Sequence, residues 1–217
     1  MVIISFKKSR KIGRNSLSLT GQITSIKNND IVEFESQLEG NLTYILERRL
    51  DVEMYCEQPI TIEYFQGNVK RHYTPDFYVK YFSGSEELIE VKYHKDLLEK
   101  KEALEGKFRA AKEFCNGNNI SFRVMTEEDI NSNVVFNSKF LSNYRRSPIK
   151  TNLGDIEYIL ETLARFEKMT VNDLLDECSK DDQRKAELLF HVWYLISNYL
   201  INFNEEEKLS MNTLIWK

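Results

Sequence analysis

Cysteine and histidine are scarce in this chain, and a long apolar run is missing altogether. Its three cysteines, Cys56, Cys115 and Cys178, are odd in number, far apart and free of any C-x-x-C or histidine spacing. They give no basis for a disulfide framework or a zinc site and read as reduced structural residues. The opening MVIISF is too short for a signal-peptide core or a membrane span, so a cytoplasmic protein with no membrane partner is expected. No internal repeat or low-complexity segment interrupts the 217 residues.

What is present is the material of a folded domain. A hydrophobic fraction of 41% with 29% charged residues is enough to build a core and too apolar for a disordered chain. The net charge of −4 argues against a nucleic-acid partner only until its distribution is read. Residues 1–30 carry Lys7, Lys8, Arg10, Lys11, Arg14 and Lys27 against Asp30, a balance of +5. Residues 151–217 carry seven basic against thirteen acidic residues, a balance of −6. A basic arm suits phosphates and an acidic segment suits a protein partner, although either is equally the solvated surface of an ordinary protein.

Three regions follow from composition: a basic arm at 1–30, a mixed α/β domain at 31–148 and a mostly helical domain at 149–217. Phe34, Leu38, Leu42, Ile45 and Leu46 recur at helical spacing and predict a helix over Glu33 to Arg49. PITIEY, YTPDFYVKYF and LIEVKY are rich in β-branched and aromatic residues and predict a three-stranded antiparallel meander turning at QGNVK and SGSEE. A long helix is expected from Lys95 to Cys115, a strand at Ile120 to Thr126, and a short helix opening at Thr126. Beyond Arg145, helices at Asn152–Phe166, Thr170–Cys178 and Asp181–Asn198 precede a β-hairpin tail, an order that suggests a winged-helix-like domain.

Charges inside the strand pattern carry the chemistry. By alternation Asp76 shares a face with Tyr78 and Lys80, while Glu90 and Lys92 share a face in the next strand. Pairing Phe82 with about Glu87 brings Asp76 beside Lys92 and Tyr93. Two carboxylates near one ammonium suit a Mg2+ site that acts on a phosphodiester, with Lys92 near the nucleophile. Glu39, at the border of the first helix's apolar stripe, reaches towards Asp76 more easily than Glu35. The competing reading is the wet face of an antiparallel sheet with weak surface pairs. His72, His94, Lys95 and Lys100 flank the strands and are ordinary surface or phosphate contacts. Trp193, Tyr194 and Tyr199 read as core.

The ordered set Glu39, Pro75-Asp76 and Glu90-Val91-Lys92 resembles the PD-(D/E)xK nuclease superfamily. FESQLEGNLTYILE, CEQPITIEY, YTPDFYV, IEVKY, MTEEDI and NSKFLSNYRR are together similar to the TnsA family, the endonuclease subunits of heteromeric transposases, and RNSLSLTGQITSIK resembles the family's basic lead-in. The resemblance implies a restriction-endonuclease-like core, a mixed sheet flanked by helices, followed by a small winged-helix-like domain. It implies Glu39, Asp76, Glu90 and Lys92 as catalytic positions, the three acids as metal ligands, and Mg2+, with Mn2+ substituting, as cofactor. The position of Glu90 is glutamine in some members. The implied activity is cutting of the 5′ strand at transposon-end duplex DNA. The implied partners are the DDE transposase subunit TnsB and, through the C-terminal domain, the AAA+ ATPase TnsC. Lys7, Lys8, Arg10, Lys11 and Arg14 are the DNA-contact candidates. A stand-alone restriction or repair nuclease and a non-cutting DNA-binding adaptor are the alternatives.

Overall fold

A computed structural model describes residues 20–145 and 152–217. The basic residues Lys7, Lys8, Arg10, Lys11 and Arg14 lie outside the described residues. The chain divides into two compact units, one ending at Ile130 and the other spanning Asn131–Lys217.

In the first unit a hairpin of β1 (Gly21–Ser25) and β2 (Asp30–Phe34) leads into α1 (Gln37–Arg48). The expected helix therefore starts later than Glu33, because Glu33 and Phe34 are paired with Gln22 and Gly21. Gly21 and Gly40 make room for the Phe34 ring; a Cβ at either would stand 2.3 or 2.7 Å from ring carbons. After α1 come β3 (Val52–Glu57), β4 (Ile62–Gln66), β5 (Val69–Tyr73), β6 (Phe77–Tyr81) and β7 (Glu86–Val91). Next are α2 (His94–Glu99), α3 (Lys101–Asn118) and β8 (Ser121–Met125).

Among these, β3, β6, β7 and β8 form one mixed sheet in that order, antiparallel except for the parallel β7–β8 pair. The expected meander is corrected here. QGNVK closes a separate β4–β5 hairpin, and the neighbour of β6 is β3, whose mixed polar and apolar residues hid it in the sequence. The long helix divides at Lys100 into α2 and α3. Thr126 to Asp129 form a turn closed by the Asp129 carboxylate, which accepts from the Thr126 amide and hydroxyl, and no helix opens there.

Both faces of this sheet are covered. Tyr78 and Leu88 pack with Ala110, Ala111 and Cys115 of α3 and with Ile62 and Tyr73 of the hairpin. On the opposite face Tyr55, paired with Val79, donates its hydroxyl to Glu47 of α1. Burying these strands on two sides supplies the apolar area that drives the unit to fold.

The second unit begins earlier than the composition change at 149. Its helix α4 (Ser132–Ser142) places Leu141 in a core with α5 (Leu153–Leu163), α6 (Val171–Cys178) and α7 (Asp182–Ser197). The Asn137 side chain donates to the Glu205 and Glu207 carbonyls and accepts from the Leu209 amide, so α4 is tied to the end of the chain. Short strands β9 (Met169–Thr170), β10 (Asn202–Phe203) and β11 (Leu214–Trp216) pair in the order β10-β11-β9. Trp193 is buried in this core and Tyr194 packs against it, as their apolar context predicts.

Candidate active site

Asp76 stands immediately before β6, and Glu90 and Lys92 at the end of β7. The observed register sets Phe77 opposite Ile89, so along the ladder Asp76 falls level with Glu90 rather than Tyr93, while the expected approach of Lys92 to Asp76 is made through the lysine side chain. The turn is tighter than expected because the Tyr81 amide donates to the Ser85 carbonyl, which leaves Phe82 outside the ladder. One Asp76 oxygen, Oδ2, accepts from the Val91 amide at 2.7 Å and lies 3.5 Å from the Lys92 ammonium. The backbone behind Asp76 is also fixed, since the Gln58 amide donates to the Asp76 carbonyl at 2.8 Å.

Lys92 sits among oxygens. Its Nζ is 2.9 Å from Glu90 Oε1, 2.9 Å from the Val91 carbonyl and 3.5 Å from Asp76. Glu90 is only 2% exposed and sequesters a charge that burial alone would forbid. Compensation comes from Lys92, from the Tyr73 hydroxyl donated to Oε2 at 2.8 Å, and from Lys107 of α3, 3.8 Å from Oε1. The sheet face carrying Glu90 is thus covered by α3 and the β4–β5 hairpin, which removes the reading of Glu90 and Lys92 as a solvated surface pair.

The electrostatics follow from that burial. Desolvation, reinforced by the Glu90 charge, pushes Asp76 up to about 7 against the pull of Lys92, and Glu39 adds to the rise. Burial works to lower Lys92, but the charges of Asp76 and Glu90 outweigh it and hold the ammonium above its ordinary value. Burial and the adjacent Glu90 charge likewise hold the Tyr73 phenol well above its usual range.

Glu39 is placed by the start of α1. Ser36 is the N-cap and accepts from the Glu39 amide; its hydroxyl donates to Glu39 Oε1 at 2.8 Å, and the Glu35 amide donates to Oε2 at 2.9 Å. Glu39 therefore closes the helix end while its charge acts on Asp76 and Lys92. His72 and His94 face Glu63 and Glu128 at 3.8 Å each, and Lys95 and Lys100 pair within α2 and its cap.

Tyr73, Lys107 and the Val91 carbonyl were not singled out from sequence. Lys107 had a signal: it interrupts the stripe of Leu104, Ala110 and Ala111 on α3. Chemically, two carboxylates and a carbonyl already surround one cation, the Lys92 ammonium, and are the hard oxygen donors a small divalent cation takes. Among the described residues, no group of three or more His, Cys, Asp and Glu side chains gathers as a metal cluster.

A mixed sheet with helices on both faces and an Asp, Glu and Lys converging at one strand end defines a nuclease-like α/β domain. Residues 49–127 match the family model of the TnsA-like endonuclease N-terminal domain, which supports a TnsA family assignment. The matched segment contains Asp76, Glu90, Lys92 and Lys107 and begins after Glu39. A search of the curated proteins gives no match.

Proposed function

We propose that this protein is the metal-dependent DNA-cutting subunit of a heteromeric transposase, hydrolysing the 5′ strand at transposon ends. The observation that carries the reading is the convergence of Asp76, Glu90 and Lys92 around one cation position inside the segment matched to a TnsA-like endonuclease domain.

Asp76, Glu90 and the Val91 carbonyl would hold Mg2+ or Mn2+, which supplies charge neutralisation at the scissile phosphate. The chain's own part is positional. Asp76 is pinned on both sides, by the Val91 amide and by the Gln58 amide on its carbonyl, so its free carboxylate oxygen has one direction to face. Lys92 leaves the three oxygens to hold a phosphate oxygen or the attacking water, as a compact, strongly held ammonium does well. Glu39 adds negative charge at the border of the site and favours a cation there.

Duplex DNA at the transposon end is the substrate, and the basic residues at positions 7, 8, 10, 11 and 14 are its phosphate contacts in this reading. The partners are the DDE transposase TnsB and the AAA+ ATPase TnsC, the latter through the second unit. Its helices with a small antiparallel sheet, and the acidic balance of residues 151–217 within it, support a winged-helix-like, protein-binding role. No described helix is long and apolar enough to cross a membrane.

The test is to titrate Mg2+ or Mn2+ into the chain with its transposase and a labelled transposon-end duplex, comparing wild type with Asp76→Ala. Metal-dependent 5′-strand cuts lost in the variant are expected. An uncut strand in a complex that nevertheless assembles moves the non-cutting adaptor to the front.

A further inference from the structure

The β4–β5 hairpin is a two-stranded ribbon separate from the main sheet, and its base is a wall of the site. There Ile62 and Tyr73 are paired and buried, the Thr61 and Thr74 hydroxyls meet at 3.1 Å, and the Tyr73 hydroxyl donates to Glu90. Further out, Gly106 of α3 lets the ribbon lie close on the helix, since a Cβ there would stand 3.3 Å from the Tyr64 ring. The ribbon is therefore held firmly against the site while Val69 to His72 remain exposed.

Strand alternation sorts its charges. Lys70 and His72 share a face with Glu63, at 2.8 and 3.8 Å, and that carboxylate offsets them. Arg71, opposite Tyr64, takes the other face together with Tyr73. Glu63 is the only acid between Ile62 and Tyr73, and among the described residues no carboxylate pairs with Arg71. The groove along β4 is lined by Glu63 and Glu113 beside Arg109, which disfavours a polyanion there. On the β5 side Lys107 stands 5.5 Å from the Tyr73 ring, and Arg71 follows two residues further from the site.

We propose that this ribbon is a duplex-DNA contact. Same-face residues on a strand are about 7 Å apart and phosphates recur every ~3.4 Å of helix axis, so Arg71 would hold a backbone phosphate about two nucleotides from the catalytic carboxylates. A planar guanidinium suits a phosphate, and such a contact sets the register of the strand without reading bases. The inference rests on the nuclease reading for its substrate and adds a contact outside the basic arm.

Fluorescence anisotropy of the full chain with labelled duplexes of two unrelated sequences, in EDTA and over a range of salt, tests it. Arg71→Gln is expected to lower the slope of log affinity against log salt by about one and to weaken binding roughly threefold to tenfold, equally on both duplexes. Arg71→Lys should keep the slope. Lys80→Gln removes the same charge at the far end of β6, where Lys80 is 2.8 Å from Glu53, and should leave the slope as in wild type. A wild-type chain that does not bind duplex, an unchanged slope in Arg71→Gln, an equal loss in Lys80→Gln, or an effect confined to one sequence would each overturn the inference. The two readings fail differently: a duplex held through Arg71 but never cut with metal removes the nuclease, whereas cutting with an unchanged Arg71→Gln slope removes the ribbon contact.

Discussion

Two buried glutamates in the first unit differ in the donors gathered round them. Glu47, in α1, accepts from the Ser25 and Tyr55 hydroxyls and from the amides of Ile26 and Lys27, donors fixed by the backbone or by packing. Glu90, in β7, shares one tyrosine hydroxyl with that pattern but takes the rest of its compensation from two lysine side chains. Backbone amides and packed hydroxyls hold a carboxylate in one place, whereas ammonium groups reach theirs on long flexible stems. Burial alone does not distinguish the two positions, whereas the kind of donor that faces each carboxylate does.

The contrast is broken most forcefully at Asp76, the acid facing Glu90. Asp76→Ala is expected to reduce metal-dependent cutting by at least about a hundredfold with the fold retained, read by cleavage alongside circular dichroism. Glu47→Ala should do the reverse. It leaves several buried donors unmet and costs about 3 kcal/mol or more, seen as a lower urea midpoint, while cutting per folded molecule is unchanged. Glu90→Gln sharpens the comparison. An amide still accepts from Tyr73, so stability should change by less than about 1 kcal/mol, and cutting should fall by less than in Asp76→Ala.

The smallest effect is the dependence on pH. Asp76 rises in the folded state from the usual carboxylate range to about 7, so the folded protein binds more protons than the unfolded chain between those values. The contribution of this group to stability is therefore present at low pH and declines as pH rises through that window. The pull of Lys92 is already contained in the position of Asp76, and Lys92 itself stays protonated across this window and adds no pH dependence of its own. Metal-free urea midpoints of wild type should fall relative to Asp76→Asn between pH 4.5 and 7.5; a rising difference would contradict the assignment.

Asp76, Glu90 and Lys92 were legible because strand alternation and the Pro75-Asp76 step depend only on local sequence. Their exact partners were not, since one turn hydrogen bond at Ser85 shifted the register. β2 was hidden because Glu33 and Phe34 also fit the helical pattern, and β3 because its side chains mix both kinds of environment. Lys107 reaches Glu90 only through the packing of α3 on the sheet, a contact between residues distant in sequence. Glu39, by contrast, was expected from its place on the helix to reach towards Asp76, and what went unread was the capping spacing of Ser36 and Glu39 that closes the helix.

That shared carboxylate places a constraint on variation. Positions 36 and 39 cannot drift independently: a residue at 39 must both close the first turn of α1 and present charge towards Asp76. Aspartate is one carbon too short for the first task, and glutamine fulfils only part of it while abandoning the second. Any exchange there acts twice, on the helix end and on the charge that Asp76 and Lys92 feel. Ser36→Ala isolates the helix part, and subtracting its effect from that of Glu39→Gln leaves the share that belongs to the site.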